Sequence, residues 1–196
     1  MRTLLAATLA LLLTAFAPGA SSQAGDEPPL AEDPAGDVQG TPLGGPTQPM
    51  EGFEDVDLTG LWLTETPTTF EVRLRFAHMD GEPGPDQPGT YTFLTFDGVE
   101  TRVYLGRSAD NEAWFGSLGN REGDAAFYRS IGPLAARYDV ATAQVWTTID
   151  RDLIAGSSGR SPARGDEITG IHATAWANLG RAATVNAPTL PVKGAL

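Results

Sequence analysis

Residues 70–76 read FEVRLRF. Phe70, Val72, Leu74 and Phe76 fall on one side of an extended chain, and Glu71, Arg73 and Arg75 on the other. Period two with one charged face is the pattern of an antiparallel strand half buried against a core. The run is preceded by TGLWLT (59–64) and a turn at Thr66-Pro67. It is followed by TYTFLTF (90–96), ETRVYLG (100–106), EAWFGSL (112–118), AAFYRSI (125–131), LAARYDV (134–140), AQVWTTI (143–149) and EITGIHATAW (167–176). Turn residues separate them at Asp97-Gly98, Gly119-Asn120, Gly132-Pro133 and across 156–165, and residues 80–89 (DGEPGPDQPG) read as a long loop. About nine short strands at this spacing, with no long helical period, predict an all-β fold: an antiparallel β-sandwich of jelly-roll or immunoglobulin-like type. The one helical candidate is a single turn in DRDLIAG (150–156), capped by Asp150.

The ends of the chain have a different character. Residues 1–24 read as a secretory signal, with Arg2 before an apolar run from Leu4 to Ala17 and a small-x-small site at Ser22-Gln23-Ala24. The expected product is secreted, extracellular or in a periplasm-like space, with no membrane insertion after cleavage. Residues 25–50 hold six prolines and five glycines, which suits a Pro/Gly-rich arm or linker. The sandwich is expected over 51–185, a size that suits one domain with its own core. The segment 186–196, with Pro188 and Pro191, reads as a tail that frays or covers an edge.

The formal charge is −12, and one unit more negative once Arg2 leaves with the leader. An acidic surface argues against nucleic acid and anionic membranes as partners and fits cations as ligands. There is no cysteine, so stability comes from burial and backbone pairing. A zinc site is starved of ligands, since His78 and His172 are the only histidines.

The order DPAGDV, EDVDLTGLWLTE, TYTFLTFDG, VWTTIDRDLI and GDEITGIHATAW resembles the carbohydrate-binding-module-9-like and DOMON-like superfamily of secreted β-sandwiches, over residues 33 to 180. The resemblance implies a sandwich that binds sugars or haem, or one that serves as an extracellular module. Family members often carry a late acidic-proline segment; this chain has VNAP (185–188) instead. Some DOMON-type domains hold a b-type haem between a Met and a His, and Met79 and His172 are the pair that resemblance points to.

Three constellations follow from the residues. Asp33 and Asp37 flank a turn, and Asp55 and Asp57 approach the first sure strand. Calcium takes carboxylate and carbonyl oxygens in flexible geometry, so an ion held by these four would staple the arm to the sandwich. In DNEAWFGSLGNR (110–121), Trp114 is expected to face outward with Glu112, Phe115 inward, and Asn111 and Arg121 to flank a stacked sugar; Trp62, Trp146 and Trp176 are assigned to the core. Catalytic patterns are poor. Neither Gly116-Ser117-Leu118-Gly119 nor Gly156-Ser157-Ser158-Gly159 is a nucleophile elbow, and no glycine loop for phosphate precedes a helix. The expectation is a non-catalytic binding module for a polysaccharide or glycan. The alternatives are a calcium-stapled structural or interaction module of a matrix or envelope, with an extracellular protein as partner, and a haem electron carrier.

Overall fold

The computed structural model describes residues 28–42, 46, 48–49, 54, 56–79, 88–107, 114–123, 125–178, 183–186 and 190–191. The leader, Asp55, Asn111 and Glu112 lie outside the described residues.

The strands in chain order are β1 (Ala31–Glu32), β2 (Gln39–Pro42), β3 (Gln48–Pro49), β4 (Leu58–Glu65), β5 (Thr69–Phe76), β6 (Pro88–Phe96), β7 (Val99–Arg107), β8 (Trp114–Glu122), β9 (Arg129–Leu134), β10 (Ala136–Asp139), β11 (Gln144–Asp150), β12 (Thr169–Asn178), β13 (Ala183–Asn186) and β14 (Leu190–Pro191). They form two antiparallel sheets. The smaller is ordered β1-β4-β5-β11-β10. The larger is ordered β3-β2-β13-β12-β6-β7-β8-β9, with β14 also paired to β12. The sheets pack face to face as an all-β sandwich. Leu61, Phe70, Val72, Leu74 and Val145 from one sheet meet Leu94, Val103, Leu105, Leu118 and Ile171 from the other in a single core.

The alternation of 70–76 sets β5 as expected: Phe70, Val72, Leu74 and Phe76 are buried and the charged residues between them are not. The β6–β7 hairpin turns on Asp97 (φ 45°) and Gly98 (φ 76°). Left-handed φ at both central residues matches the right-handed twist of the flanking strands. The helical piece expected at 150–156 is one 3-10 turn, Arg151–Leu153. Asp150 stands at its N-cap position, but its side chain makes no capping hydrogen bond.

Two expected turns are strand. Gly119-Asn120 lies inside β8, where Gly119 pairs with Ser130 and Asn120 with Arg129. A side chain at Gly119 would press on Arg129 O and Tyr128 Cβ at 3.3 Å, so this glycine marks a close approach. Gly132-Pro133 lies inside β9, opposite Leu118 and Ser117. Proline is tolerated there because β9 ends the order of its sheet. Likewise Pro88 and Gly89, read as loop, open β6.

The arm read as a linker is built into both sheets. Ala31 pairs with Leu61, and Gly40 with Val185. Leu30 N–H donates to Leu61 O at 2.8 Å, and Val38 is buried in the core. Proline and glycine bar a helix here but permit short strands of this kind. The tail covers an edge, through β14 on β12.

Candidate functional site

Strands β12, β6, β7 and β8 lie side by side, so their outward residues form a grid. Cross-strand register sets the first row as Trp176, Gly89, Gly106 and Phe115. The second is Thr174, Tyr91, Tyr104 and Ser117; the third is His172, Phe93, Arg102 and Gly119. The intervening residues, such as Leu94, Val103, Leu118 and Ala173, are buried in the core. The paired glycines of the first row form a floor. A Cβ at Gly89 would stand 2.7 Å from Trp176 Cζ2, and one at Gly106 would overlap the Tyr104 phenol. Both rings therefore lie low over bare backbone.

The rings touch one another in a continuous band. Trp176 stacks on Tyr91 with centroids 4.3 Å apart, and Tyr104 is 5.5 Å from both Tyr91 and Phe115. His172 stacks on Phe93 at 4.6 Å, and Phe93 is 6.2 Å from Tyr128. The Arg102 guanidinium sits over Tyr91 at 4.6 Å and over Tyr128 at 4.1 Å. Such pairs stabilise the face by about 0.5–1.5 kcal/mol each beyond area burial. The band stays open to solvent: Phe115 is 45% exposed and the other rings are half-buried.

At one end the band meets a polar knot. Arg121 pairs with Glu100 at 2.6 Å, and the Tyr128 hydroxyl donates to the same Glu100 oxygen. Burial, and then that hydrogen bond, push the Tyr128 phenol up to about 12, so it remains a donor at neutral pH. With both partners on it, the Glu100 carboxylate is engaged in holding the face together. Beside Arg121 opens a cleft of about 390 Å³, lined among others by Asn120, Glu122, Phe127, Arg129 and Ile131. Phe127 is 86% exposed at its rim.

A second cluster lies where the arm joins the sandwich. The Pro34–Asp37 turn places Gly36 at φ +94°, and its N–H donates to Asp57 Oδ2 at 2.6 Å. Asp57 is only 1% exposed. Its other oxygen, together with Asp33 Oδ2 and Asp37 Oδ1, is buried without a hydrogen-bond partner. Burial raises the Asp33 carboxyl, and the charges of Asp37 and Asp57 raise it further. Burial also raises Asp57; the Gly36 amide offsets part of this, and Asp37 and Glu54 add to it.

The expected site residues fall in different places. Asp33, Asp37 and Asp57 come together. Trp114 is a correction: its indole is 5% exposed and packs 5.8 Å from Phe76 in the core, while Phe115 faces out. The phase of β8 is set by Leu118, which must be buried, and Trp114 lies an even number of residues from it. The other tryptophans also reverse. Trp62, Trp146 and Trp176 stand on outer faces, because Leu61 and Leu63, Val145 and Thr147, and Ala175 take the inward positions beside them. Trp62 and Trp146 flank Arg73 in register on the small sheet. Arg121 does stand on the outer face, though away from the buried Trp114. Met79 and His172 are not brought together: Met79 is in the core, and His172 points from the solvent side of β12 with Nδ1 2.8 Å from Gly170 O. Tyr91, Phe93, Tyr104 and Phe115 were missed as site residues. The signal was present, since they alternate with inward Leu94, Val103 and Leu105.

The chain matches no known protein family and no curated protein.

Proposed function

We propose that the protein is a non-catalytic binding module for a polysaccharide or glycan, and that the outer face of the large sheet is its binding surface. The observation that carries this reading is the Trp176–Tyr91 stack, with Trp176 lying over Gly89 and Tyr104 over Gly106, and Phe115 beside them. A pyranose ring presents an apolar face of C–H groups, and the faces of aromatic rings carry the negative part of their quadrupole. Flat rings over a floor without side chains suit that match. Thr174, Ser117, Arg102 and Arg121 lie within the same grid, where sugar hydroxyls need donors and acceptors. Export by the leader would bring such a face to polysaccharides outside the cell. The acidic net charge disfavours a nucleic acid as the stacked ligand. The second reading, a structural or interaction module of a matrix or envelope, draws on the acidic junction of the arm.

The test is a glycan array probed with the wild-type protein and with Tyr91→Ala. The reading expects hits on the wild type that fall at least tenfold in the variant. An array without hits, or hits indifferent to Tyr91→Ala, overturns it.

A further inference from the structure

Two arginines stand on the aromatic face, and their surroundings differ. Arg121 is committed: it pairs with Glu100 at 2.6 Å, and Glu100 also accepts from the Tyr128 hydroxyl. Arg102 stands in the adjacent row, opposite Gly119. Among the described residues it makes no ion pair and no hydrogen bond; its contacts are with rings, over Tyr91 at 4.6 Å and over Tyr128 at 4.1 Å. A guanidinium that stacks on ring faces keeps its five N–H donors in its own plane, directed past the rings. Gly119 adds no side chain to compete for them, and the neighbours across the row, Phe93 and His172, carry rings rather than carboxylates. The chain has 25 acidic residues, yet the three rows of the band hold none. Arg102 is thus a cation held in place by aromatic contacts, with its donors open.

We infer that the glycan bound by this face carries a uronic acid, and that Arg102 receives its carboxylate; the inference rests on the glycan reading of the face. A carboxylate is planar and accepts two parallel N–H bonds from a guanidinium. On a uronate it projects from the rim of the pyranose, leaving the C–H face free to stack. Trp176 and the Arg102 guanidinium both lie against the Tyr91 ring, so a ligand that stacks on the indole reaches the guanidinium across one tyrosine. A single open cation suits scattered uronates on an otherwise neutral polysaccharide. A polymer with an acid on every sugar would be repelled by the net charge of −12.

The test is affinity electrophoresis of the full chain, Arg102→Gln and Arg102→Lys through gels containing glucuronoxylan or gum arabic. Each gel is matched with the carboxyl-reduced form of the same polysaccharide, in which the acid has become a neutral alcohol. The readout is the ratio of the dissociation constants for the reduced and native forms. Disturbing the Tyr91 and Tyr128 contacts weakens both forms together, so a merely structural role for Arg102 leaves that ratio unmoved. The wild type is expected to prefer the native form of at least one polysaccharide by roughly tenfold or more, the scale of a charge-assisted hydrogen bond. Arg102→Gln is expected to abolish the preference, and Arg102→Lys, which keeps the charge without the fork, to fall between. Equal binding of native and reduced forms by the wild type overturns the inference while the glycan reading stands. A preference that survives in Arg102→Gln overturns the role of Arg102. Equally strong retardation by dextran sulfate would mean general attraction to anions and also overturns it. Retardation by no gel removes the inference together with the reading beneath it.

Discussion

The indole of Trp176 lies over Gly89, so close that a methyl group on that glycine would stand 2.7 Å from Cζ2. Gly89→Ala therefore forces the ring from its stack on Tyr91. Overpacking of this kind costs about 1–3 kcal/mol, and urea denaturation measures it. Because the clash is with the ring alone, Gly89→Ala in a Trp176→Ala background is expected to cost far less. A double-mutant cycle that shows additivity would refute the contact.

Trp114→Ala separates core from surface. The indole is buried against Phe76, so truncation is expected to destabilise by about 3–5 kcal/mol. The aromatic face stays intact in the fraction that folds, so glycan retention is unchanged under conditions where the variant is native. Loss of binding without loss of stability would return Trp114 to the ligand surface.

Arg151 is the principal buried cation of the small sheet's end. It donates to Thr66 O from Nε at 2.9 Å and to Pro162 O at 3.1 Å, pairs with Glu65 and lies 4.3 Å over the Phe70 ring. Arg151→Met keeps most of the volume but takes the donor from two carbonyls and leaves the Glu65 carboxylate with the Gly165 N–H. Leaving buried carbonyls without their donor costs about 1–3 kcal/mol, to be read from the denaturation midpoint. A change under about 1 kcal/mol, the range of exposed pairs, would contradict this role.

The same pair gives a pH dependence. The hydrogen bond from Arg151 holds the Glu65 carboxyl below its ordinary 4.5. A depressed carboxylate stabilises the fold above its unfolded pKa, and that contribution is lost as pH falls through the folded value. Asp33, raised by burial and then by the charges of Asp37 and Asp57, and Asp57, raised by burial and by the charges of Asp37 and Glu54, act in the opposite sense and gain on protonation. Comparing wild type with Glu65→Gln isolates the pair. The stability gap between them is expected at pH 7 and to shrink below about pH 4.5; a gap that widens in acid would contradict the assignment.

Much of the architecture was legible because period-two alternation survives wherever a strand has one buried face. Phe70–Phe76 shows this most clearly, and Asp97-Gly98 marked its hairpin through the left-handed φ that both residues tolerate. Gly119 misled because glycine also serves close packing, as at the Arg129 carbonyl, and that use has no signature distinct from a turn; Gly132, where a side chain would meet nothing within 4 Å, misled because Gly-Pro is also tolerated on an edge strand. The site was legible in chemistry more than in place. Asp33, Asp37 and Asp57 could be grouped because the turn residues between the first two limit how the chain runs. Trp114 could not be oriented from EAWFGSL alone, since Trp114 and Phe115 are both apolar neighbours and either phase buries one of them. The aromatic band joins the consecutive strands β6, β7 and β8 to β12, which is distant from them in sequence, and only the order β12-β6-β7-β8 brings Trp176 beside Tyr91 and Tyr104.

The central claim, that this outer face holds a polysaccharide, is tested most directly by native affinity electrophoresis through gels containing soluble polysaccharides. Wild type, Trp176→Ala and Trp146→Ala are run together, the last altering the outer face of the opposite sheet. Wild type and Trp146→Ala are expected to be retarded by the same polysaccharide while Trp176→Ala migrates freely. Identical migration of all three, or release by Trp146→Ala alone, would contradict the account.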